Sequence, residues 1–311
     1  MKKFFKRILT IVSILTCIAL LSQRDSALSA ETGRVTVLLV KNRENRNVTL
    51  ALEGFKSSCN CNISELTMRG AEAEDITKDA YNAGASAVLA IGDGISHTVK
   101  NISEFPVLYI LDSSVESTPA VNNALYGIDM TLPAERQGEG VFNIFNEVKN
   151  IGIFYDADKE SMVKKLQVYF KSRNVNVIEY KITAPADVTS ALKALTGRID
   201  LFWMIPAAGI YRKEMTEHIF TSLMERRIPV VTFSEKYLEM GAVLSVEAEP
   251  YDLGRQAGEL LRTEILVDGA VKGRKFLPRK CGFVINSVVA ERIGIKYNKT
   301  YLQQNHAIFK K

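Results

Sequence analysis

Short polar and aromatic residues stand at the ends of apolar runs along this chain, and these are the groups that could do chemistry. Asp93 lies in Ile91-Gly92-Asp93-Gly94, with Ser96 just beyond. Asp112, Ser113 and Ser114 follow the run at 107–111, and Asp156 follows the run at 151–155. Ala208 and Tyr211 belong to the segment 206–211, Phe233 and Ser234 end the run at 229–234, and Glu247 follows that at 242–246. The carboxylates could accept from a ligand amine. The hydroxyls, backed by helix-start N–H groups, could hold a ligand carboxylate. Tyr211 and Phe233 could stack on a ring. The same residues have structural uses: Asp93, Ser113, Ser114 and Asp156 suit helix caps, and strand-end rings often pack. Trp203, inside a strand, reads as core.

The chemistry of catalysis is missing. There is no Gly-x-Ser-x-Gly elbow and no Cys–His pairing at a recognisable spacing, so no catalytic residue is assigned. His97, His218 and His306 are far apart, and Cys59-Asn60-Cys61 cannot build a tetrahedral zinc site alone, so neither metal nor cofactor is expected. Gly92-Asp93-Gly94 lacks the further glycines and the lysine of a phosphate-binding loop. Cys59-Asn60-Cys61 reads as a surface loop with incidental thiols or a local disulfide. With Cys281 it makes an odd cysteine set after the leader, which leaves at least one thiol without an intramolecular partner.

The start of the chain is a leader. Lys2, Lys3, Lys6 and Arg7 precede an apolar run at 8–21, and Ala27-Leu28-Ser29 offers small residues for cleavage. These are the three parts of a secretory signal peptide, and the run is shorter than the roughly 20 residues that span a bilayer. Residues 1–30 are therefore expected to be removed on export, to the periplasm or the outer face of the cytoplasmic membrane. An uncleaved leader would be the alternative, and Cys17, inside the apolar run, is poorly placed for lipidation. Most of the formal net charge of +5 lies in this leader. The remainder gives no reason to expect a nucleic-acid partner.

Apolar runs alternate with helical patterns from residue 35 to residue 267, which is the signature of doubly wound parallel sheets. Strands are expected at 35–40, 62–68, 87–91, 107–111, 151–155, 175–181, 201–205, 229–234 and 242–246. After Asp129 the pattern restarts with a helix at 132–148, and a long helix is expected at 250–267. Ligands bind outside the carboxyl ends of strands in such sheets. That rule selects seven loops, at 41–46, 92–96, 112–114, 156–159, 206–211, 234–237 and 247–249, which together suit a small polar ligand.

One stretch carries a family resemblance. Gly241-Ala242, followed after a short polar crossover by Tyr251, Leu253, Gly254, Arg255, Gln256, Ala257 and Gly258, resembles the substrate-binding proteins of ABC transporters of the tryptophan/tyrosine-binding type. The resemblance implies an α/β fold of two doubly wound, Rossmann-like lobes joined by three crossover segments, the type I periplasmic binding protein. The first lobe would hold 31–130 and 250–278, and the second 131–249 and 279–311, with crossings near 129–133, 247–250 and 279–283. It implies a monomeric receptor that closes on a small-molecule solute and delivers it to an ABC permease. A sensor kinase is the alternative partner, and the membrane is met only through a partner or an uncleaved leader.

The chain departs from the family at the loops. The family often shows Gly-Thr-Pro where this chain has Gly92-Asp93-Gly94, and Thr-Asp-Pro where it has Leu111-Asp112-Ser113. In the second lobe the family's Pro-Thr-Asp-Asn is replaced by Pro206-Ala207-Ala208-Gly209. The acid that meets an amino group there is absent, and Asp93 on the opposite lobe is the residue expected to take over the amine.

Overall fold

A computed structural model describes residues 34–68, 73–112, 124–207, 209–267 and 274–310. The leader reading at 1–30, together with Ser113, Ser114 and Ala208, lies outside the described residues. Two sheets organise the chain. The first contains β1 (Thr36–Lys41), β2 (Asn62–Thr67), β3 (Ala87–Ile91), β4 (Val107–Ile110), β5 (Leu125–Ile128) and β11 (Lys275–Phe276), in the order β11-β5-β4-β3-β1-β2. Every pairing in it is parallel. Val37, Leu38, Leu39 and Val40 are all buried. A parallel strand covered on both faces needs such an unbroken apolar run.

The second sheet contains β6 (Asn150–Tyr155), β7 (Asn176–Lys181), β8 (Leu201–Trp203), β9 (Val230–Thr232), β10 (Leu244–Ala248), β12 (Cys281–Asn286) and β13 (Ile308–Lys310), in the order β13-β12-β10-β9-β8-β6-β7. The chain leaves the first sheet after β5, returns after β10, and crosses again between β11 and β12. Among the described residues no helix is long and apolar enough to cross a membrane.

The tightest helix contact lies beneath the first sheet, between α1 (Arg46–Cys59) and α8 (Pro250–Leu260). A Cβ on Gly54 would stand 1.9 Å from the Tyr251 carbonyl oxygen, and one on Gly254 would stand 1.7 Å from that of Ala51. These glycines let two helix backbones touch. Cys59 and Cys61 close a disulfide at the end of α1, across the left-handed Asn60, and Cys281 is a free thiol.

Several boundaries differ from the sequence expectations. Glu247 and Ala248, expected to break the strand before them, continue β10, because antiparallel β12 pairs Gly282 with Glu247 and Cys281 with Ala248. The expected long helix ends at Leu260 and passes into a π turn, Leu261–Ile265. The helix expected at 132–148 is α4 (Ala134–Ile144). Strands β5, β11 and β13, and helix α10 (Lys299–Gln304), were not expected; they are short, and their strand pairing is wholly non-local.

Candidate functional site

Between the sheets lies a cleft of about 700 Å³, bordered by strand-end loops from both and by the first crossover, Asp129 to Leu132. Asp93, Tyr211, Phe233, Ser234 and Glu247 line it. On the first-sheet side the loop after β3 is held to the loop after β1. The Asn42 amide donates to the Asp93 carbonyl at 2.7 Å, and the Arg43 guanidinium lies 3.4 Å from the Asp93 carboxylate, both side chains half exposed. Gly92, at φ 135°, permits the approach: a Cβ there would stand 2.1 Å from Asn42 Oδ1.

Asp112 serves the wall of the cleft instead of its lumen. It is 1% exposed, and its two oxygens accept from the N–H groups of Gly94 at 3.0 Å and Ser96 at 2.7 Å. This satisfies the start of the short helix α3 (Ile95–Val99), whose N-cap glycine has no side chain for the task. Gly94 and Ser96 therefore turn their N–H groups away from the cleft, and the Ser96 side chain is fully buried.

The second-sheet side is aromatic. The Phe233 ring lies 6.3 Å from that of Tyr211 and 5.4 Å, edge-on, from that of Tyr237, which follows on the turn Glu235–Leu238. Burial pushes the Tyr211 phenol well up, with Tyr237 and Asp156 adding to it, so the phenol keeps its proton. Burial likewise raises Glu247 above the usual carboxylate range, opposed by the Ser245 hydroxyl, donating at 2.6 Å, and by the Glu235 N–H. Asp156 heads the turn Ala157–Lys159 without capping it through its side chain.

Arg43, Lys159, Lys236 and Tyr237 also line the cleft and were not singled out from the sequence, although their loops were. Cations at strand ends beside the carboxylates were the available signal. The cleft thus offers rings on one wall and charges of both signs around it. Among the described residues no group of three or more His, Cys, Asp and Glu is arranged to hold a metal.

Residues 97–308 match the family model described as ABC transporter substrate binding protein. The Tyrosine-binding protein of Clostridioides difficile (strain R20291) is 26% identical over 149 residues, 47% of this chain. That match spans 43% of the curated relative, less than half its length. Among solved structures, the ligand-free, open structure of a substrate binding protein with adhesive properties from Clostridium difficile has a TM-score of 0.63 at 16% identity, covering 89% of this chain and 99% of that one. A conserved domain protein from Vibrio cholerae o1 biovar eltor has a TM-score of 0.50 at 18% identity, covering 89% and 99%. At these identities the structural likeness shows the fold.

Proposed function

The chain belongs to the ABC transporter substrate binding protein family, and on that premise we propose that it is an extracytoplasmic receptor for a small zwitterionic solute with an aromatic side chain, most simply tyrosine or tryptophan. The observation that carries the reading is the cleft itself: Tyr211, Phe233 and Tyr237 form one wall, and Arg43, Asp93, Lys159 and Glu247 surround it. An aromatic amino acid needs this combination, an apolar slot with a few polar groups to fix its orientation. The name of the curated relative, a tyrosine-binding protein, points the same way.

In this reading residues 31–130 with 250–278 and residues 131–249 with 279–311 move as two lobes that close on the solute. The leader is removed on export, and the monomeric receptor delivers its solute to a membrane permease. Asp93, Tyr211, Phe233, Ser234 and Glu247 are the proposed contacts, and Asp112 holds the loop that carries Asp93. Isothermal titration of the purified chain with L-tyrosine, L-tryptophan and L-phenylalanine tests this. Saturable binding of at least one, with a rise in melting temperature, is expected. Binding of none, with binding of a sugar or a simple carboxylate instead, would overturn it.

A further inference from the structure

Two buried polar atoms at second-sheet strand ends, Asp156 Oδ1 and the Tyr211 phenol oxygen, have no hydrogen-bond partner among the described residues. Tyr211 belongs to the aromatic wall, whereas Asp156 does not itself line the cleft. They come from neighbouring strand ends. Asp156 directly follows β6, and Tyr211 closes the loop after β8, its N–H donating to the Ala207 carbonyl at 3.3 Å. The Asp156 carboxylate faces that loop, with Oδ2 4.0 Å from where a Cβ on exposed Gly209 would stand. Rotation about the Cβ–Cγ bond exchanges its two oxygens, so a donor approaching past Gly209 can meet either.

Local structure gives neither group a task. Asp156 is placed to cap the following turn and does not, and the phenol of a buried tyrosine ordinarily finds a partner. An acceptor buried without a donor costs about 1–3 kcal/mol, and more when it is charged. Two unmet groups at adjoining strand ends, with the Asp156 charge felt at the Tyr211 phenol, suit a donor arriving from elsewhere. A carboxylate would be repelled by Asp156, and an apolar group would leave both oxygens unmet. An ammonium group, with three donors on one atom, satisfies two acceptors that do not bond to each other. Asp93, across the cleft, is differently placed, because it already faces Arg43 at 3.4 Å.

We infer that Asp156 and Tyr211 form the subsite that receives the solute's primary ammonium group, and that this pair makes the cleft prefer amine-bearing solutes over their deaminated counterparts. The inference rests on the cleft being the solute site. The second-sheet loop Pro206–Gly209, which carries no acid, is thus supplied with one from the adjoining strand end.

The test is isothermal titration of the full-length chain and of Asp156→Asn and Tyr211→Phe with L-tyrosine, tyramine and 3-(4-hydroxyphenyl)propionate, together with melting curves without solute. The unaltered chain should bind tyrosine about tenfold or more tighter than the deaminated acid, the value of a hydrogen bond to a charged group. Each variant should weaken tyrosine by a similar factor while leaving the deaminated acid within about twofold, which erases the preference. Neither variant should lower the melting temperature, since Tyr211→Phe removes an unmet buried hydroxyl and Asp156→Asn removes the charge from an unmet buried oxygen. A merely structural role would instead lower melting and weaken both solutes alike, and that result overturns the inference. Variants that keep the original preference overturn it too, while the solute reading stands. If the unaltered chain binds neither tyrosine nor tyramine, both readings fall together.

Discussion

A Cβ built on Gly254 would lie 1.7 Å from the carbonyl oxygen of Ala51, so α8 crosses α1 at a distance only glycine permits. The same crossing brings Gly54 against the Tyr251 carbonyl and Gly258 against Ser58. At Gly54 and Gly254 backbone meets backbone, and no side-chain rotation can relieve an added methyl there.

Gly254→Ala should therefore destabilise the chain by about 1–3 kcal/mol or more, the range for overpacking a tight core. Helix propensity alone would favour alanine by up to about 1 kcal/mol. The sign of the change in a urea melt separates the two effects, and a gain in stability would show that the crossing relaxes.

Glu247 is raised by burial, which fixes the direction of its pH dependence. A carboxyl whose folded pKa exceeds its unfolded one binds its proton more tightly when folded. Its contribution to stability is therefore greatest below the unfolded value and falls as pH rises through the folded value. Glu247→Gln keeps an oxygen for the Ser245 hydroxyl and the Glu235 N–H. It should raise stability at neutral pH and flatten the decline above the ordinary carboxyl value of 4.5. Denaturant midpoints of both proteins between about pH 5 and 8 decide this, across the usual range of maximal stability. A variant less stable at neutral pH would refute it.

Asp112→Ala should cost about 1–3 kcal/mol, because the Gly94 and Ser96 N–H groups lose their acceptor inside the wall. It should also weaken solute binding, since the loop that closes the first-sheet side of the cleft at Gly92 and Asp93 would lose its anchor. Hydrogen exchange at Ser96 is the direct readout: faster exchange is expected, and an unchanged rate would mean the carboxylate is dispensable.

Asp93→Asn should change stability by less than about 1 kcal/mol, because its pair with Arg43 is half exposed. Amino-acid affinity should stay within about threefold, in contrast to Asp156→Asn. A large loss at Asp93 measured by titration would return the amine to the first lobe.

Phe233→Ala should weaken an aromatic solute about tenfold, through loss of a ring contact of about 0.5–1.5 kcal/mol together with buried area. Competition between tyrosine and alanine measures it: the preference for tyrosine should shrink, and an unaltered preference would remove Phe233 from the wall.

Features that the chain encodes locally were legible in the order of its residues. Continuous apolar runs such as 37–40 and 87–91, each followed by a helical pattern, specified parallel strands covered on both faces, because only that environment buries every side chain of a strand. The strand-end rule marked most of the loops now found around the cleft. Tertiary structure alone decided what depends on partners far along the chain. Glu247 and Ala248 look like a break, yet they are strand because Gly282 and Cys281 arrive antiparallel beside them. Asp112 looks like a ligand carboxylate, but the N–H groups it satisfies belong to residues sixteen and eighteen positions earlier. Asp156 looks like a cap, yet its side chain does not cap the turn, and among the described residues its buried Oδ1 has no hydrogen-bond partner. A residue's type states which bonds it can make. Only the fold, by choosing which groups share one small volume, settles which bonds are made and which are left for a solute.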